Sequence, residues 1–313
     1  MTEYLGRRLL YIIPTALGVM TLIFFLIHMI PGDPVLAMLG EDAPMESVER
    51  VRSQLGLDQP IHVQYYRYIS GVLRGDLGVS IKSPRPVLSE VRRVLPYTIE
   101  LATFAMIIGM SLGLPLGITQ AVRRNTVADF SANLISVIWY TAPIFWVALI
   151  GMYFFSLRWG IFPFTGAGER GDILNTLHHL ALPAMTLGLR RIALIARMMR
   201  SAMLDVLGED YIRTARAKGL SNRIVIYRHA LKNAVIPVIT AAGMEFGTLL
   251  GGAVVTEIIF VRPGMGRLIV QGILGRDYPM VQGNLLVFAL VFMLVNLIVD
   301  VSYGFFDPRI RFD

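Results

Sequence analysis

The stretch LLYIIPTALGVMTLIFFLIHMI, Leu9 to Ile30, decides the fold class. It contains no Asp, Glu, Lys or Arg, and it is as long as the roughly 20 residues a helix needs to cross a hydrocarbon core about 30 Å thick. In lipid the backbone polar groups must bond within the segment, so such a run folds as a helix. Arg7 and Arg8 precede it, and Ile30-Pro31-Gly32-Asp33-Pro34 follows. A cleaved signal peptide has a shorter apolar core and a small-x-small cleavage pattern, which IPGDP does not offer. The run is expected to be a permanent first transmembrane helix.

The rest of the chain repeats the signal. Of 313 residues, 55% are hydrophobic and 16% charged, well below the roughly 25% charged residues of soluble domains. Six spans are expected: Leu9–Ile30, Tyr97–Val122, Ala132–Leu157, Leu180–Met199, Ala234–Phe260 and Leu285–Phe305. The fourth is the weakest, because Arg190, Arg191 and Arg197 interrupt it. The net charge of +7 would suggest nucleic acid for a soluble protein, but in a polytopic chain basic residues collect in cytoplasmic loops. The absence of cysteine excludes disulfides, thiolate metal sites and a cysteine nucleophile.

Lys and Arg also set the expected orientation. Arg7 and Arg8, Arg123 and Arg124, and the ten basic residues between Arg190 and Lys232 fall on one side if the N-terminus is cytoplasmic. The sixth span then returns the C-terminus, with Arg309 and Arg311, to that side. Residues 31–96 carry eight basic and eight acidic residues and lie outside. There Met45, Val48, Val51 and Leu55 recur at helical spacing between Pro44 and Gly56. Ile61, Tyr65, Tyr68 and Val72 recur between Pro60 and Gly75. Three regions are expected: 1–30, the N-terminal tail and first helix; 31–96, a small helical extracytoplasmic segment; and 97–313, a five-helix core that includes a cytoplasmic loop over 200–233. Glycine and proline are frequent in the spans. Gly243, Gly247 and Gly251 share one face, which suits close helix packing or a helix that slides against its neighbour.

One polar stretch stands out from this apolar background. EDYIRTARAKGL, Glu209 to Leu220, places acids at the start of a short helix and bases at its end, as the helix dipole favours. Gly219 ends the unit, and Ser221 suits the N-cap of a following helix that would carry Ile224, Tyr227 and Leu231 on one face. A DNA-reading helix-turn-helix is disfavoured, because both ends run straight into membrane spans. Two ordered short helices are also more structure than a bare linker needs. The remaining reading is a helix presented to a protein partner.

At these residues the chain resembles the integral membrane subunits of binding-protein-dependent ABC importers, in the B-type permease of the peptide and nickel branch. The carrying motifs are EDYIRTARAKGL with HALKNAVIPV (His229–Val238), RRLLYIIPTALGV, HMIPGDP, LGLDQP, GDLGVS, GGAVVTEIIFVRPGMGRLIVQGILGRDYPMVQG and DVSYGFFDPRIR. Arg213-Thr214-Ala215 stands where the general loop motif has Glu-Ala-Ala, while Gly219 and Pro237 keep their expected places. The resemblance implies an all-α type I-like ABC importer permease in the bacterial inner membrane. It implies a homologous second permease, two cytoplasmic ATPases and an extracytoplasmic substrate-binding protein as partners. It implies that Tyr211, Arg213, Ala215, Lys218 and Gly219 belong to a coupling helix that docks on an ATPase. The turn after the fifth span, Val261–Gly266, is implied to belong to an outer gate or a binding-protein contact.

The chain has no Gly-x-x-x-x-Gly-Lys-Ser/Thr phosphate loop and no hydrolytic constellation. It is therefore expected not to be an enzyme and to hold no cofactor, with ATP and magnesium on the partner ATPases. His178 and His179, expected in an outer loop, do not have metal-site spacing. Charges inside spans are costly and mark function. Glu245, Thr248, Thr256 and Glu257 are the candidate pathway residues, with Glu245 in a water-lined cavity or a buried pair. Glu100 suits an interfacial carboxylate or an internal pair, and Asp300 a structural partner. The expected function is ATP-driven import of dipeptides or oligopeptides. Nickel chelates, glutathione or other small solutes are alternatives within the class, and a stand-alone ion-coupled carrier is the alternative outside it. A membrane enzyme would need a catalytic constellation that the sequence lacks.

Overall fold

A computed structural model describes residues 2–29, 33–40, 42–169 and 171–306. Arg309 and Arg311, on which the expected side of the C-terminus rested, lie outside these residues, as do Ile30–Gly32 of the first-span exit. The side chains of Arg7, Arg8 and Asp300 are likewise outside the description.

The described secondary structure is helical apart from one isolated bridge, Val79 with Pro86. Helix α1 is Thr2–His28. A short α2, Pro34–Leu39, follows, which the sequence pattern did not suggest. Asp33 caps it by accepting from the Val35 amide at 2.8 Å, with Pro34 at the first position, where its missing N–H costs nothing. Helix α3, Met45–Leu55, starts immediately after Pro44 and ends on Gly56 at φ 68°. Helix α4 is Ile61–Leu73.

The second span is longer than expected. Helix α5 runs Val87–Val122, starting before Tyr97 and continuing through Pro96. Proline reads as a boundary, but Val87, Val91 and Val94 are buried in one apolar cluster, and that burial carries the helix through. The third span is not one straight helix. Helix α6, Val127–Thr141, and helix α7, Ile144–Gly151, which continues as a π-helix over Met152–Arg158, meet at a bend of 102°. Ala142 is extended at ψ 131°, as a residue before proline must be, and Pro143 cannot donate to the preceding turn.

Helix α8, Ile173–Leu207, contains both His178 and His179, so they are not in a loop. His178 Nε2 donates to the Ile161 carbonyl at 2.6 Å. Arg190 and Arg191 lie well inside α8 rather than at an end. Helix α9 is Asp210–Ala217. The fifth span begins as α10, Asn222–Ile224, passes through a π-helix at Val225–Ala230, and continues as α11, Leu231–Ile259. Helix α12, Met265–Leu274, was not anticipated, and α13, Tyr278–Phe306, begins before Leu285. Five described helices are long and apolar enough to cross a membrane, and the bent α6–α7 pair counted as one span makes six. The chain is an all-helical polytopic membrane protein.

Contacts divide it into two units, Met1–Pro96 with Pro263–Leu294, and Tyr97–Arg262 with Val295–Asp313. In the first, Ile23 and Ile27 of α1 pack on Val281, and Val87, Val91 and Val94 pack on Met265 and Met280. Asp277 is buried and caps α13 by accepting from the Met280 amide at 3.2 Å. It also accepts from Ser80 Oγ at 2.5 Å and from the Ile81 amide at 3.1 Å.

In the second unit α8 packs against α6 and α11. Glycines let α5 approach α8 closely: a Cβ at Gly109 would lie 2.6 Å from Arg191 Cβ, and one at Gly117 2.4 Å from the Ala196 carbonyl. The row anticipated on the fifth span is used unevenly. A Cβ at Gly243 would meet Val299 at 2.6 Å, whereas one at Gly251 would meet nothing within 4 Å.

Candidate functional site

Two arrangements in the second unit carry the candidate residues. The first is α9 and its flanks. Gly208 closes α8, and Asp210 opens α9 with its charge at the positive helix end. Arg213 pairs with Asp210 at 3.3 Å across an exposed surface. Ile212 is 0% exposed and Ala215 is buried, so one narrow face fastens the helix to the bundle. Gly219, which ends the unit, is exposed. It takes φ 76°, and a Cβ there would meet nothing within 4 Å. Glycine at this position answers a backbone need rather than a lack of space.

The five candidate coupling residues thus divide by role. Ala215 is an inward anchor and Gly219 a helix stop. Arg213 and Lys218 point into solvent. Tyr211 is partly exposed, and its hydroxyl accepts from Asn233 Nδ2 at 2.7 Å, tying α9 to the first turn of α11. Leu220, Ile224 and Tyr227 are exposed nearby, and Arg216, Arg223 and Arg228 add positive charge.

Ile224, Tyr227 and Leu231 were expected on one face of the helix after Ser221. Ile224 and Tyr227 are exposed, while Val225, Ile226 and Ala230 are buried. The π-helix over Val225–Ala230 lengthens one turn, so the apolar register shifts relative to a straight 3.6-residue pattern. Ser221 does occupy the N-cap, but its side chain makes no capping bond.

The second arrangement is a pair of polar clusters within the helices. Arg191 of α8 and Glu245 of α11 form an ion pair with side chains 12% and 33% exposed. Arg191 Nη2 also donates to Thr248 Oγ1 at 2.8 Å, and Thr248 Oγ1 bonds the Glu245 carboxylate at 3.1 Å. Glu245 and Thr248 are therefore one site, completed by an arginine that hydropathy had flagged only as an interruption. On the same helix, Arg190 and Arg197 both approach the ring of Tyr140, at 5.0 and 4.9 Å.

Thr256 and Glu257 belong elsewhere. Both are buried, and Thr98 Oγ1 donates to Glu257 Oε1 at 2.6 Å. Nearby Arg262, also buried, donates to Glu100 Oε2 at 3.1 Å and lies 5.5 Å from the Tyr97 ring centre. Burial pushes the Arg262 guanidinium below its ordinary pKa, and the charges of Glu100 and Glu257 oppose that. Glu100 is thus internally paired. Arg262 read in the sequence only as part of a turn. Its partner stands 162 positions away, and no local pattern signals such a pair. The same holds for Asp129, whose carboxylate takes two bonds from Arg200, at 2.9 and 2.8 Å.

Comparison with known proteins gives a consistent result. The family described as "Binding-protein-dependent transport system inner membrane component" matches residues 113–312, and its N-terminal companion matches residues 1–102. The chain is 43% identical to the dipeptide transport system permease protein DppB of Escherichia coli (strain K12), over 99% of each chain. It is 44% identical to the glutathione transport system permease protein GsiC of Salmonella paratyphi A (strain ATCC 9150 / SARB42), over 100% of each. Among solved structures it resembles the inward-facing MetNI methionine ABC transporter with a TM-score of 0.59, covering 70% of this chain and 97% of that one. At 18% identity that likeness speaks to the fold alone.

Proposed function

The chain belongs to the inner membrane component family of binding-protein-dependent transport systems, and on that premise we propose how it works and what it carries. As a family member it is a multi-pass permease subunit of an ABC importer, a transporter component rather than an enzyme. The proposed cargo is a short peptide. Relatives similar along their whole length are named for dipeptide and for glutathione, and glutathione is itself a tripeptide. In this reading the chain forms the translocation pathway with a homologous second permease. Two cytoplasmic ATPases bind ATP and magnesium, an extracytoplasmic protein delivers the cargo, and both termini face the cytoplasm.

The observation that carries the reading is the construction of α9. It has an apolar inner face of Ile212 and Ala215, a basic outer edge, and a hydrogen bond from Asn233 to Tyr211. A helix held this way moves as one body with the bundle, so a partner gripping its outer edge can bias two arrangements of α8 and α11. Nucleotide must favour one arrangement for this to do work. The Arg191–Glu245 pair joins the same two helices and would respond to their displacement. Opposed charges in the pathway also suit a cargo with an ammonium and a carboxylate.

The test is uptake into proteoliposomes by the complete assembly. ATP-dependent uptake of labelled dipeptide, with glutathione as competitor, is expected. Preferential uptake of glutathione would move the cargo assignment to the second relative. Transport by the purified chain alone, driven by an ion gradient, would replace the importer reading with a secondary carrier.

A further inference from the structure

A cavity of about 260 Å³ lies within the first unit. Its walls include Phe24 and His28 of α1, Arg67 and Tyr68 of α4, Asp76 just beyond α4, and Tyr278 at the start of α13. It shares no residue with α9 or with the Arg191–Glu245 cluster.

Three features of these walls point to a ligand. First, Arg67 and Asp76 stand exposed at the rim of the cavity, one cationic and one anionic, where both can reach an occupant. The Arg67 guanidinium lies over the bare Cα of Gly56, where a Cβ would come within 2.6 Å of Arg67 Nη1. Second, the Tyr68 hydroxyl is buried without a hydrogen-bond partner. Burial, with a smaller effect from Tyr65, pushes its pKa to about 12, so it stays a protonated donor. A buried donor left unmet costs free energy that an acceptor entering the cavity would recover. Third, the apolar part is aromatic and ordered. Phe24 stacks on Tyr68 at 5.7 Å and lies 4.1 Å from the His28 ring. Asp76 contributes a carboxylate whose Oδ1 accepts from the Gly78 amide at 2.8 Å.

We propose that this cavity binds a single free α-amino acid with an apolar or aromatic side chain. Its carboxylate accepts from Arg67 and the Tyr68 hydroxyl, its ammonium faces Asp76, and its side chain lies against the aromatic wall. The volume, about 260 Å³, falls below the roughly 300–1,000 Å³ of sites for drug-sized ligands, which suits a small occupant. A guanidinium, a buried hydroxyl, an acid and aromatic faces together match a zwitterion better than a lipid tail or a simple anion. This is a second binding site on the permease and does not depend on which cargo the assembly transports.

The experiment uses the assembled permease with its partner subunits in lipid nanodiscs, without the substrate-binding protein, titrated with L-phenylalanine and followed by calorimetry. Saturable binding is expected. Phenylalaninamide, which lacks the carboxylate, and N-acetylphenylalanine, which lacks the ammonium, should each bind about tenfold more weakly or worse. Arg67→Ala should weaken binding by a similar factor. Tyr68→Phe, which preserves the ring and its stacking, should weaken it about three- to tenfold with assembly unchanged by size-exclusion chromatography. Absence of saturable binding would overturn the site. So would binding unchanged in both variants, which would put the ligand elsewhere in the assembly. N-acetylphenylalanine or the dipeptide Ala-Phe binding as tightly as phenylalanine would overturn the assignment to a free amino acid.

Discussion

Asn233 Nδ2 donates to the Tyr211 hydroxyl at 2.7 Å, across 22 positions of sequence. This bond closes the α9 unit onto α11, so the outward helix is tied at both its start and its buried inner face. It predicts that Tyr211→Phe keeps the fold, at a cost of about 1 kcal/mol, but loosens transmission. In proteoliposomes the variant should hydrolyse more ATP per cargo molecule imported than the parent. An unchanged ratio would show that the bond plays no part in coupling.

Gly219 sits at φ 76° in open space, so its substitution should be graded by backbone preference alone. Gly219→Asn should cost least, Gly219→Ala about 1–2 kcal/mol, and Gly219→Val more, because β-branching is least compatible with this region. Thermal unfolding of the purified protein reads the order. If alanine and glycine prove equal, the left-handed stop is not what the position requires.

Arg191 and Glu245 should behave as a couple. Arg191→Met or Glu245→Leu alone leaves one charge without its counterpart among apolar helices, and each should destabilise. The double variant should recover part of the loss, with a coupling energy of about 1–3 kcal/mol. A double-mutant cycle on thermal stability measures this. Strict additivity would mean that the pair is not formed in the membrane.

The contrast between Gly117 and Gly251 tests close helix approach. A Cβ at Gly117 would press on the backbone of α8, at 2.4 Å from the Ala196 carbonyl, whereas at Gly251 it would meet nothing. Gly117→Ala should cost about 1–3 kcal/mol, while Gly251→Ala should be neutral or slightly stabilising. Comparison of the two melting temperatures in the same detergent decides it. Equal destabilisation would imply that a partner subunit covers Gly251.

Much of this architecture is local in origin and was legible in the residues. Hydropathy located all six spans. Apolar spacing between Pro44 and Gly56, and between Pro60 and Gly75, located α3 and α4, and the charge order of Glu209–Gly219 located α9. The misses have physical causes. The second span was expected from Tyr97, yet α5 runs from Val87 through Pro96, because the valines before it are buried. The third span was expected as one run, Ala132–Leu157, and Ala142-Pro143 breaks it with a bend of 102°. The burial of Val225, Ile226 and Ala230 after Ser221 was not read from the pattern, because a π-turn changes the period on which any such pattern depends.

Hydropathy and turn chemistry sum over neighbouring residues, so the chain alone determined a helical membrane protein with six spans and one polar outward unit. Ion pairing does not sum locally. Whether Arg191 meets Glu245, or Arg262 meets Glu100, depends on how each helix is rotated and how closely glycine faces let it approach its neighbour. Those partners lie 54 and 162 positions apart, so only the packed structure could decide which charges inside the bundle find each other.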